Sequence, residues 1–307
     1  MTAISRRALL SAALVLPLAG CAVAVAPAPS SAPSPAPTPR PSPTRLATAF
    51  TELETEHDAR FGLFAMDTGT GRTLAHRAGE RFAFCSTFKA LAAAAILNRP
   101  DETLDTLITY RRDDLVGNAP ITEQHVDTGM TLRDLCDAAV RFSDGPAGNL
   151  LVRELGGPAA LTEWARSLGD DTFRMDRVEP DLTEATPGDP RDTTTPEAFA
   201  TTIRALLLGD ALRPEASAAL TDLMLRNTTG DARIRAGTPA HWLVAERTGS
   251  GGYGTANDIG VVWPADASPI ALAIMTSRPR ADDERSDALI AEAARLALTE
   301  LAGEAGP

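Results

Sequence analysis

Lysine is nearly absent from this sequence of 307 residues: Lys89 is the single lysine among 29 basic residues, and all the others are arginines. The formal net charge is −12, and beyond paired arginines the basic residues form no cluster along the chain. Binding of nucleic acid needs a basic patch or stripe, so we do not expect nucleic acid as a partner.

Long apolar runs are also missing. The apolar run at residues 8–19, which follows Arg6 and Arg7, is shorter than the about 20 residues of a transmembrane helix. Paired arginines before such a run indicate an export signal over residues 1–20. The run ends in Leu-Ala-Gly-Cys at Cys21, which resembles the lipobox of bacterial lipoproteins and implies a lipid anchor on Cys21. The alternative is an ordinary secretory signal cleaved within residues 22–26. In both cases we expect an exported protein, either anchored to the cell membrane or secreted.

Cysteine and histidine are scarce. The chain has three cysteines and four histidines. Cys85 and Cys136 can form a disulfide only if the fold brings them together, and we expect two buried free thiols instead. Cys85 precedes Ser86, but no nearby histidine or second cysteine supports a nucleophilic thiol. The histidines show no metal-ligand spacing, so we expect no metal site and place them at surface or structural positions: His57, His76, His125 and His241.

The remaining pattern predicts one folded domain behind a tether. Residues 21–44 are rich in Pro, Ala and Ser, cannot form a core, and read as an extended tether. Helical periodicity begins with Leu46, Phe50 and Leu53, and two short strands around an Asp-Thr-Gly-Thr-Gly turn follow. Residues 86–225 are mostly helical in pattern. Three strand patterns follow at 241–248, 256–264 and 269–277, and a final helix is predicted over 284–303.

This order of elements predicts an α+β fold over residues 45–304. The segments at about 45–80 and 226–304 would form an antiparallel β-sheet flanked by the N- and C-terminal helices. The segment at about 81–225 would form an inserted all-helical subdomain. A cleft between two such parts is a common place for an active site.

The single lysine lies in the segment RFAFCSTFKALAAAAIL, residues 81–97. If a helix begins near Ser86, Lys89 lies one turn later on the same face. A serine hydroxyl is a weak nucleophile until another group takes its proton. A lysine ammonium can lose its proton when burial or cationic neighbours depress its pKa, whereas a guanidinium cannot. This difference is a physical reason to retain lysine at position 89.

Three further segments place the serine and lysine in a specific context. RFSDGPAGNLL starts at residue 141, DRVEPDLTEATPGDPRDTTTP at 176 and ERTGSGGYGTAND at 246. In this order and spacing, these segments and Ser86-x-x-Lys89 resemble class A serine β-lactamases, whose family motifs are Ser-x-x-Lys, Ser-Asp-Asn and Lys-Thr-Gly. The resemblance covers residues 45–304. It implies a hydrolase that needs no cofactor and acts on a small-molecule β-lactam, most simply as a monomer; a zinc-dependent lactamase is disfavoured.

The resemblance also implies roles for individual residues. Ser86 would attack the lactam carbonyl and Lys89 would help to remove its proton. The backbone N–H groups of Ser86 and Ser250 would form the oxyanion hole. Ser143 would pass a proton to the departing nitrogen. Glu179 would activate the water that releases the acyl group, and its share in acylation is disputed for the family.

Other matched positions would bind the substrate or support Glu179. Asn149 would hold Glu179 in place. An ion pair between Arg177 and Asp192 would close the loop that carries Glu179. The substrate carboxylate would be received by Arg247, Thr248, Gly249 and Ser250, with Arg233 adding positive charge.

Three positions depart from the family pattern. Gly145 replaces the asparagine of Ser-Asp-Asn, which removes a carboxamide that would contact the substrate and the lysine. Arg247 replaces the lysine of Lys-Thr-Gly and cannot relay protons. Thr183 replaces an asparagine that would help to hold the deacylating water. We therefore predict reduced turnover and a narrow, penicillin-biased substrate range.

Two other functions share the Ser86 chemistry. A β-lactam-binding protein would be acylated without turnover and act as a sink or sensor, and a D-Ala-D-Ala peptidase would act on the cell wall. Glu179 favours hydrolysis over both, because a binder needs no base for deacylation.

Overall fold

The computed structural model describes residues 43–302 of the chain. The predicted export signal, the lipid-anchor position Cys21 and nearly all of the predicted tether lie outside the described residues. Within this range no helix is long and apolar enough to cross a membrane. The helices are α1 (Pro43–Glu56), α2 (Phe88–Leu97), α3 (Asp101–Leu104), α4 (Leu132–Arg141), α5 (Gly145–Leu155), α6 (Pro158–Ser167), α7 (Pro196–Leu208), α8 (Pro214–Leu225) and α9 (Asp287–Ala302).

The strands form one main sheet and two small ribbons. The strands are β1 (Arg60–Asp67), β2 (Thr73–His76), β3 (Phe82–Ala83), β4 (Leu107–Ile108), β5 (Met130–Thr131), β6 (Thr193–Thr194), β7 (Leu243–Ser250), β8 (Ala256–Trp263) and β9 (Ile270–Ser277). The main sheet is antiparallel with the order β2-β1-β9-β8-β7, so β7 is an edge strand. The predicted α+β architecture is confirmed.

Both faces of the main sheet are buried. Successive residues of a strand point to opposite faces, and β9 shows this alternation clearly. Ile270, Leu272 and Ile274 join the apolar cluster that includes α1 and α9. Ala271, Ala273 and Met275 join the larger cluster that includes the helices of the middle segment. The sheet therefore separates the terminal helices from the helical region.

Helix α2 is the centre of the helical region. Its sequence, FKALAAAAIL, is apolar on almost every side, and all ten of its residues are buried. A helix of this kind must lie inside the protein, and α4, α5, α6 and α8 pack around it. Lys89 belongs to this helix, so the fold itself removes its side chain from water.

Two short ribbons were not predicted. β3 pairs with β6, and β4 pairs with β5, inside or at the edge of the segment whose pattern is mostly helical. Strands of two residues are too short to show a period of two, so only tertiary pairing creates them. The β3–β6 ribbon matters for the site because it ties the segment before Ser86 to the end of the loop that carries Glu179.

Candidate active site

Ser86 and Lys89 lie at the start of the buried helix α2. The chain makes a 3₁₀ turn over Cys85–Thr87 and continues as α-helix from Phe88, so the helix begins slightly later than predicted. Lys89 is fully buried. Its Nζ donates hydrogen bonds to Ser86 Oγ at 3.1 Å and to the Ser143 carbonyl at 2.9 Å, and lies 2.8 Å from Glu179 Oε1. Three acceptors match the three N–H groups of an ammonium.

Glu179 reaches the same serine from a separate loop. Ser86 Oγ donates a hydrogen bond to Glu179 Oε1 at 2.5 Å. Asn149 of α5 clamps the Glu179 backbone from both sides: its Nδ2 donates to the Glu179 carbonyl at 2.8 Å, and the Glu179 N–H donates to its Oδ1 at 3.0 Å. A clamp of this kind restricts the carboxylate to the position above Ser86.

Burial and charge determine the protonation states of Lys89 and Glu179. Burial lowers the pKa of Lys89 from 10.5 to about 8; attraction to Glu179 opposes this shift, and repulsion from Arg247 adds to it. Burial alone would raise the pKa of Glu179, but attraction and hydrogen bonding from Lys89, with help from Ser86 and Arg247, outweigh burial and hold it below its usual value. At neutral pH Glu179 is therefore ionised and Lys89 is mostly protonated.

Arg247 lies behind the site. Its side chain is fully buried on β7, and its Nη2 donates a hydrogen bond to Ser143 Oγ at 2.9 Å. Its Nη1 donates to the carbonyl of Thr248. Burial lowers the pKa of Arg247 to about 10, partly offset by Glu179 and Asp258, so the guanidinium stays charged at neutral pH. Because Arg247 supplies the hydrogen in its bond to Ser143, the Ser143 hydroxyl keeps its own hydrogen for another partner.

Arg233 supports the end of β7. Its Nε donates to Asp287 at 2.8 Å, and its Nη1 donates to the carbonyls of Gly249 at 2.8 Å and Asn257 at 2.7 Å. Its Nη2 donates to Ser250 Oγ at 2.7 Å. These bonds fix a buried cation directly beside Ser250.

The loop that carries Glu179 is closed by Arg177 and Asp192. Arg177 Nε donates to Asp192 Oδ2 at 2.6 Å, and the N–H groups of Asp176 and Arg177 donate to Asp192 Oδ1 at 2.8 and 2.9 Å. Asp192 is fully buried immediately before β6. The two ends of the loop are thus joined by a charged, hydrogen-bonded contact.

These groups surround a cleft of ≈ 670 Å³. Among the described residues, no three His, Cys, Asp or Glu side chains are grouped so that they could hold a metal ion. The predicted residues Ser86, Ser143, Glu179, Arg233 and Ser250 face one common space. The lining residues are Ser86, Gly117, Asn118, Ser143, Glu179, Pro180, Thr183, Thr229, Arg233, Thr248, Gly249, Ser250, Gly251, Gly252 and Arg285.

Known proteins are similar to this chain in both sequence and fold. The model of the Beta-lactamase enzyme family matches residues 45–301. A β-lactamase from Amycolatopsis lactamdurans is 55% identical over 253 residues, which cover 82% of this chain and 84% of the relative. A β-lactamase from Mycobacterium tuberculosis is 53% identical over 256 residues, covering 81% and 83%. The chain belongs to the β-lactamase enzyme family.

Solved structures agree with this assignment. The crystal structure of a halotolerant bacterial β-lactamase superposes with a TM-score of 0.81 at 50% identity, covering 83% of this chain and 98% of the other. A class A β-lactamase from Clostridium kluyveri gives a TM-score of 0.83 at 41% identity, covering 84% and 99%. The resemblance to class A enzymes drawn from the motifs is confirmed.

The structure shows the surroundings of two of the three positions that depart from the family pattern, Gly145 and Thr183. A Cβ atom on Gly145 would lie 2.6 Å from Glu179 Oε2, so a side chain at this position would require the flexible end of Glu179 to shift. Thr183 lies on the Glu179 loop, and its hydroxyl donates to the Pro180 carbonyl at 2.7 Å. The single hydroxyl hydrogen of Thr183 is therefore already used within the loop.

Several lining residues were not identified from the sequence. Asn118 and Arg285 lie in irregular segments where spacing carries no signal. Thr229 falls in the segment NTTGDARIRAGTP, which also resembles the family, and its Oγ1 lies 2.5 Å from Thr248 Oγ1. That segment is the one place where the sequence could have indicated a further residue.

The two cysteines within residues 43–302 are buried and unpaired, as expected. Burial raises the pKa of Cys85 to about 12, and the charge of Glu179 adds to the shift. A thiol that holds its proton so firmly is a poor nucleophile. Cys85 is therefore a packing residue beside Ser86.

Proposed function

We propose that this β-lactamase opens the lactam ring of penicillin-like antibiotics through an acyl-enzyme on Ser86. One observation carries the proposal: Ser86 Oγ contacts a buried carboxylate, Glu179, at 2.5 Å and a buried lysine, Lys89, at 3.1 Å. A serine in contact with a base and a cation is an activated nucleophile.

Acylation begins with the transfer of the Ser86 proton to Glu179. The three N–H groups of Lys89 are all occupied by acceptors, so its charged form suits the resting site and the carboxylate is the available base. Ser86 Oγ then bonds to the lactam carbonyl carbon, and the N–H groups of Ser86 and Ser250 stabilise the negative oxygen. The C–N bond breaks, and Ser143 donates its hydrogen to the nitrogen. The proton that Glu179 took from Ser86 then passes through Lys89, whose Nζ lies 2.8 Å from Glu179 Oε1, to Ser143, so Glu179 is ionised again before deacylation.

Deacylation uses the same carboxylate. Glu179 takes a proton from a water molecule, the water oxygen bonds to the acyl carbon, and the bond to Ser86 Oγ breaks with return of a proton to that oxygen. The substrate carboxylate would lie against Thr248, Gly249 and Ser250, with the charge of Arg233 close behind. Arg247 would act through Ser143, because its guanidinium is buried behind that hydroxyl.

The departures from the family pattern support slow release of the acyl group. Gly145 offers no carboxamide to the substrate, and the Thr183 hydroxyl donates within its own loop. We expect a purified sample to hydrolyse a simple penicillin faster than a chromogenic cephalosporin, with kcat below the typical enzyme value of about 10 s⁻¹. Intact-protein mass spectrometry should show a long-lived adduct. Fast turnover of both substrates with no detectable adduct would contradict this, and an adduct without turnover would favour the sink or sensor.

The pH dependence of kcat/KM tests the protonation states. Glu179 must be ionised, so activity is lost as the pH falls through a pKa that lies below the usual glutamate value. Lys89 must be charged, so activity is also lost as the pH rises through about 8. The expected profile for a simple penicillin is a bell. A rate that rises through pH 8 and stays high above pH 9 would show that neutral Lys89, and not Glu179, accepts the serine proton.

The cellular setting follows from the N-terminal segment and remains part of this proposal. Export through residues 1–20, with a lipid on Cys21 or release of the soluble form, would place the enzyme where β-lactams act. We expect it to work as a monomer on a small-molecule substrate.

A further inference from the structure

Two carboxyl groups are buried together on the main sheet, outside the groups assigned to catalysis. Glu246 is on β7 and Asp258 is on β8, and both side chains are fully buried. Glu246 pairs with Gly260 in the register of these strands, two residues from Asp258, so both carboxyl groups lie on the same face of the sheet. The two groups are in contact with each other. Arg247 follows Glu246 and therefore points to the opposite face.

Each carboxyl group has one oxygen atom that lacks a hydrogen-bond donor. Arg235 Nε donates to Glu246 Oε1 at 2.9 Å, and the Ile234 N–H donates to Asp258 Oδ2 at 3.1 Å. The other two oxygens, Glu246 Oε2 and Asp258 Oδ1, are buried and have no hydrogen-bond partner within residues 43–302. Buried polar atoms are normally hydrogen-bonded, because an unpaired one costs free energy. One hydrogen between the two carboxyl groups would give both atoms a partner.

Charged side chains from three parts of the fold lie around this pair. The cations are Arg233 and Arg235 from the segment before β7 and Arg247 from β7; Asp287 of α9 binds Arg233, and Asp231 binds Arg235. Loss of every proton from the pair would leave two negative charges in contact inside the protein, which is unfavourable. A proton on each group would leave Arg235, 2.9 Å from Glu246, beside a neutral partner. A single proton on Asp258 avoids both penalties.

The electrostatics agree with this count. Burial raises the pKa of Asp258 well above its usual value, and the charge of Glu246 adds to the shift, while Arg233 and the Ile234 N–H oppose it. Burial also raises the pKa of Glu246, but the hydrogen bond from Asp258 and the charge of Arg235 oppose that shift. Asp258 is therefore the member of the pair that holds a proton more firmly.

We propose that Glu246 and Asp258 share one proton at neutral pH, which Asp258 holds and donates to Glu246, and that this proton makes the stability of the fold sensitive to pH. The pair keeps one negative charge, on Glu246, beside Arg235. The inference goes beyond the proposed function, because neither carboxyl group takes part in the hydrolysis described above.

The direction of the pH dependence follows from the number of bound protons. In the unfolded chain both groups titrate near about pH 4, so above about pH 6 the unfolded chain holds neither proton. The folded protein keeps one proton until the pH passes the raised pKa of Asp258. The contribution of the pair to stability is therefore lost as the pH rises toward that pKa. Over this range the pair should increase the unfolding equilibrium constant about tenfold per pH unit.

The test is Asp258→Asn, followed by urea unfolding at several pH values. The amide keeps the size of the side chain; its N–H can donate to Glu246 Oε2, and its oxygen can accept from the Ile234 N–H. All other titratable groups are common to both proteins, so the ratio of their unfolding constants reports the pair alone. The wild-type constant should rise about tenfold relative to the variant between about pH 6 and about pH 7. The matched control is Asp266→Asn, an exposed acid between β8 and β9, whose ratio to wild type should not change with pH.

Two further measurements cover the case in which Asp258→Asn does not fold. Glu246→Gln can donate its amide N–H to an ionised Asp258, so it should remove the same pH dependence. Infrared spectroscopy of the wild-type protein at neutral pH should show the band of a protonated carboxyl group. A ratio that stays constant with pH, or absence of this band, would show that both groups are ionised and would overturn the inference. A change of about a hundredfold per pH unit relative to the double variant Glu246→Gln/Asp258→Asn would also overturn it, because the pair would then hold two protons.

Discussion

We expect Ser86→Ala to abolish ring opening by the proposed mechanism. The expected loss in kcat is about a million-fold, which is the size seen when a catalytic serine is removed from a hydrolase. The reason is that Ser86 Oγ forms the covalent bond to the acyl group. In the described part of the chain, no other hydroxyl oxygen lies within hydrogen-bonding reach of both Lys89 and Glu179. The measurement is steady-state hydrolysis of a simple penicillin, together with intact-protein mass spectrometry.

The matched control for this substitution is Ser167→Ala. Ser167 lies on α6, where its hydroxyl donates to the Trp164 carbonyl and is exposed, so its removal should leave hydrolysis unchanged. Two results would refute the role of Ser86. One is turnover by Ser86→Ala within ten-fold of wild type, which is about 1.4 kcal/mol in the barrier. The other is an adduct that persists in this variant, which would point to another residue such as the adjacent Cys85.

The fold and the core of the site follow from patterns that a sequence displays directly. Three strands late in the chain show apolar runs long enough to recognise, and helices α4, α7 and α9 show clear periodicity. Ser86 and Lys89 follow from spacing, because residues three apart on a helix must be neighbours. The unusual lysine pointed to a depressed pKa, and the burial of α2 supplies the physical cause.

Side-chain direction and backbone proximity lie beyond such patterns. Arg247 is predicted to receive the substrate carboxylate, and the sequence gives no sign of the hydrogen bond that its buried guanidinium donates to Ser143. The contacts of Lys89 with the Ser143 carbonyl and with Glu179 depend on how α2 packs against its neighbours, which spacing along one chain does not reveal. Both features arise from tertiary contacts between elements that are far apart in sequence.

The balance between the two proton acceptors also depends on three-dimensional arrangement. From the sequence alone, a lysine that has lost its proton is expected at position 89, where it would help to remove the proton of Ser86. In the structure Lys89 Nζ has acceptors on all sides, and Glu179 Oε1 is the atom that Ser86 Oγ contacts most closely. Charge on Glu179 raises the pKa of Lys89 and so favours the ammonium form. The carboxylate therefore controls which of the two groups can act as base.

The Glu179→Gln variant should show how the carboxylate determines which group acts as the base. The amide keeps the size of the side chain, and the clamp from Asn149 holds only backbone atoms, so the loop should stay in place. Without the carboxylate the pKa of Lys89 falls further, and the neutral amine becomes available to take the Ser86 proton. No base remains for the water, so hydrolysis should drop by about a thousand-fold, within the range for loss of a general base. Acylation should therefore be faster than deacylation, and the Ser86 adduct should accumulate.

The adduct is the decisive measurement for Glu179→Gln. Rapid mixing with a penicillin, followed by acid quench and intact-protein mass spectrometry, should show nearly complete acylation that decays far more slowly than in wild type. Asp181→Asn, an exposed acid on the same loop, is the matched control and should decay at the wild-type rate. Normal turnover in Glu179→Gln would remove Glu179 from the mechanism. Complete absence of an adduct would show that the carboxylate is indispensable for acylation too, and that Lys89 cannot replace it even when its pKa is low.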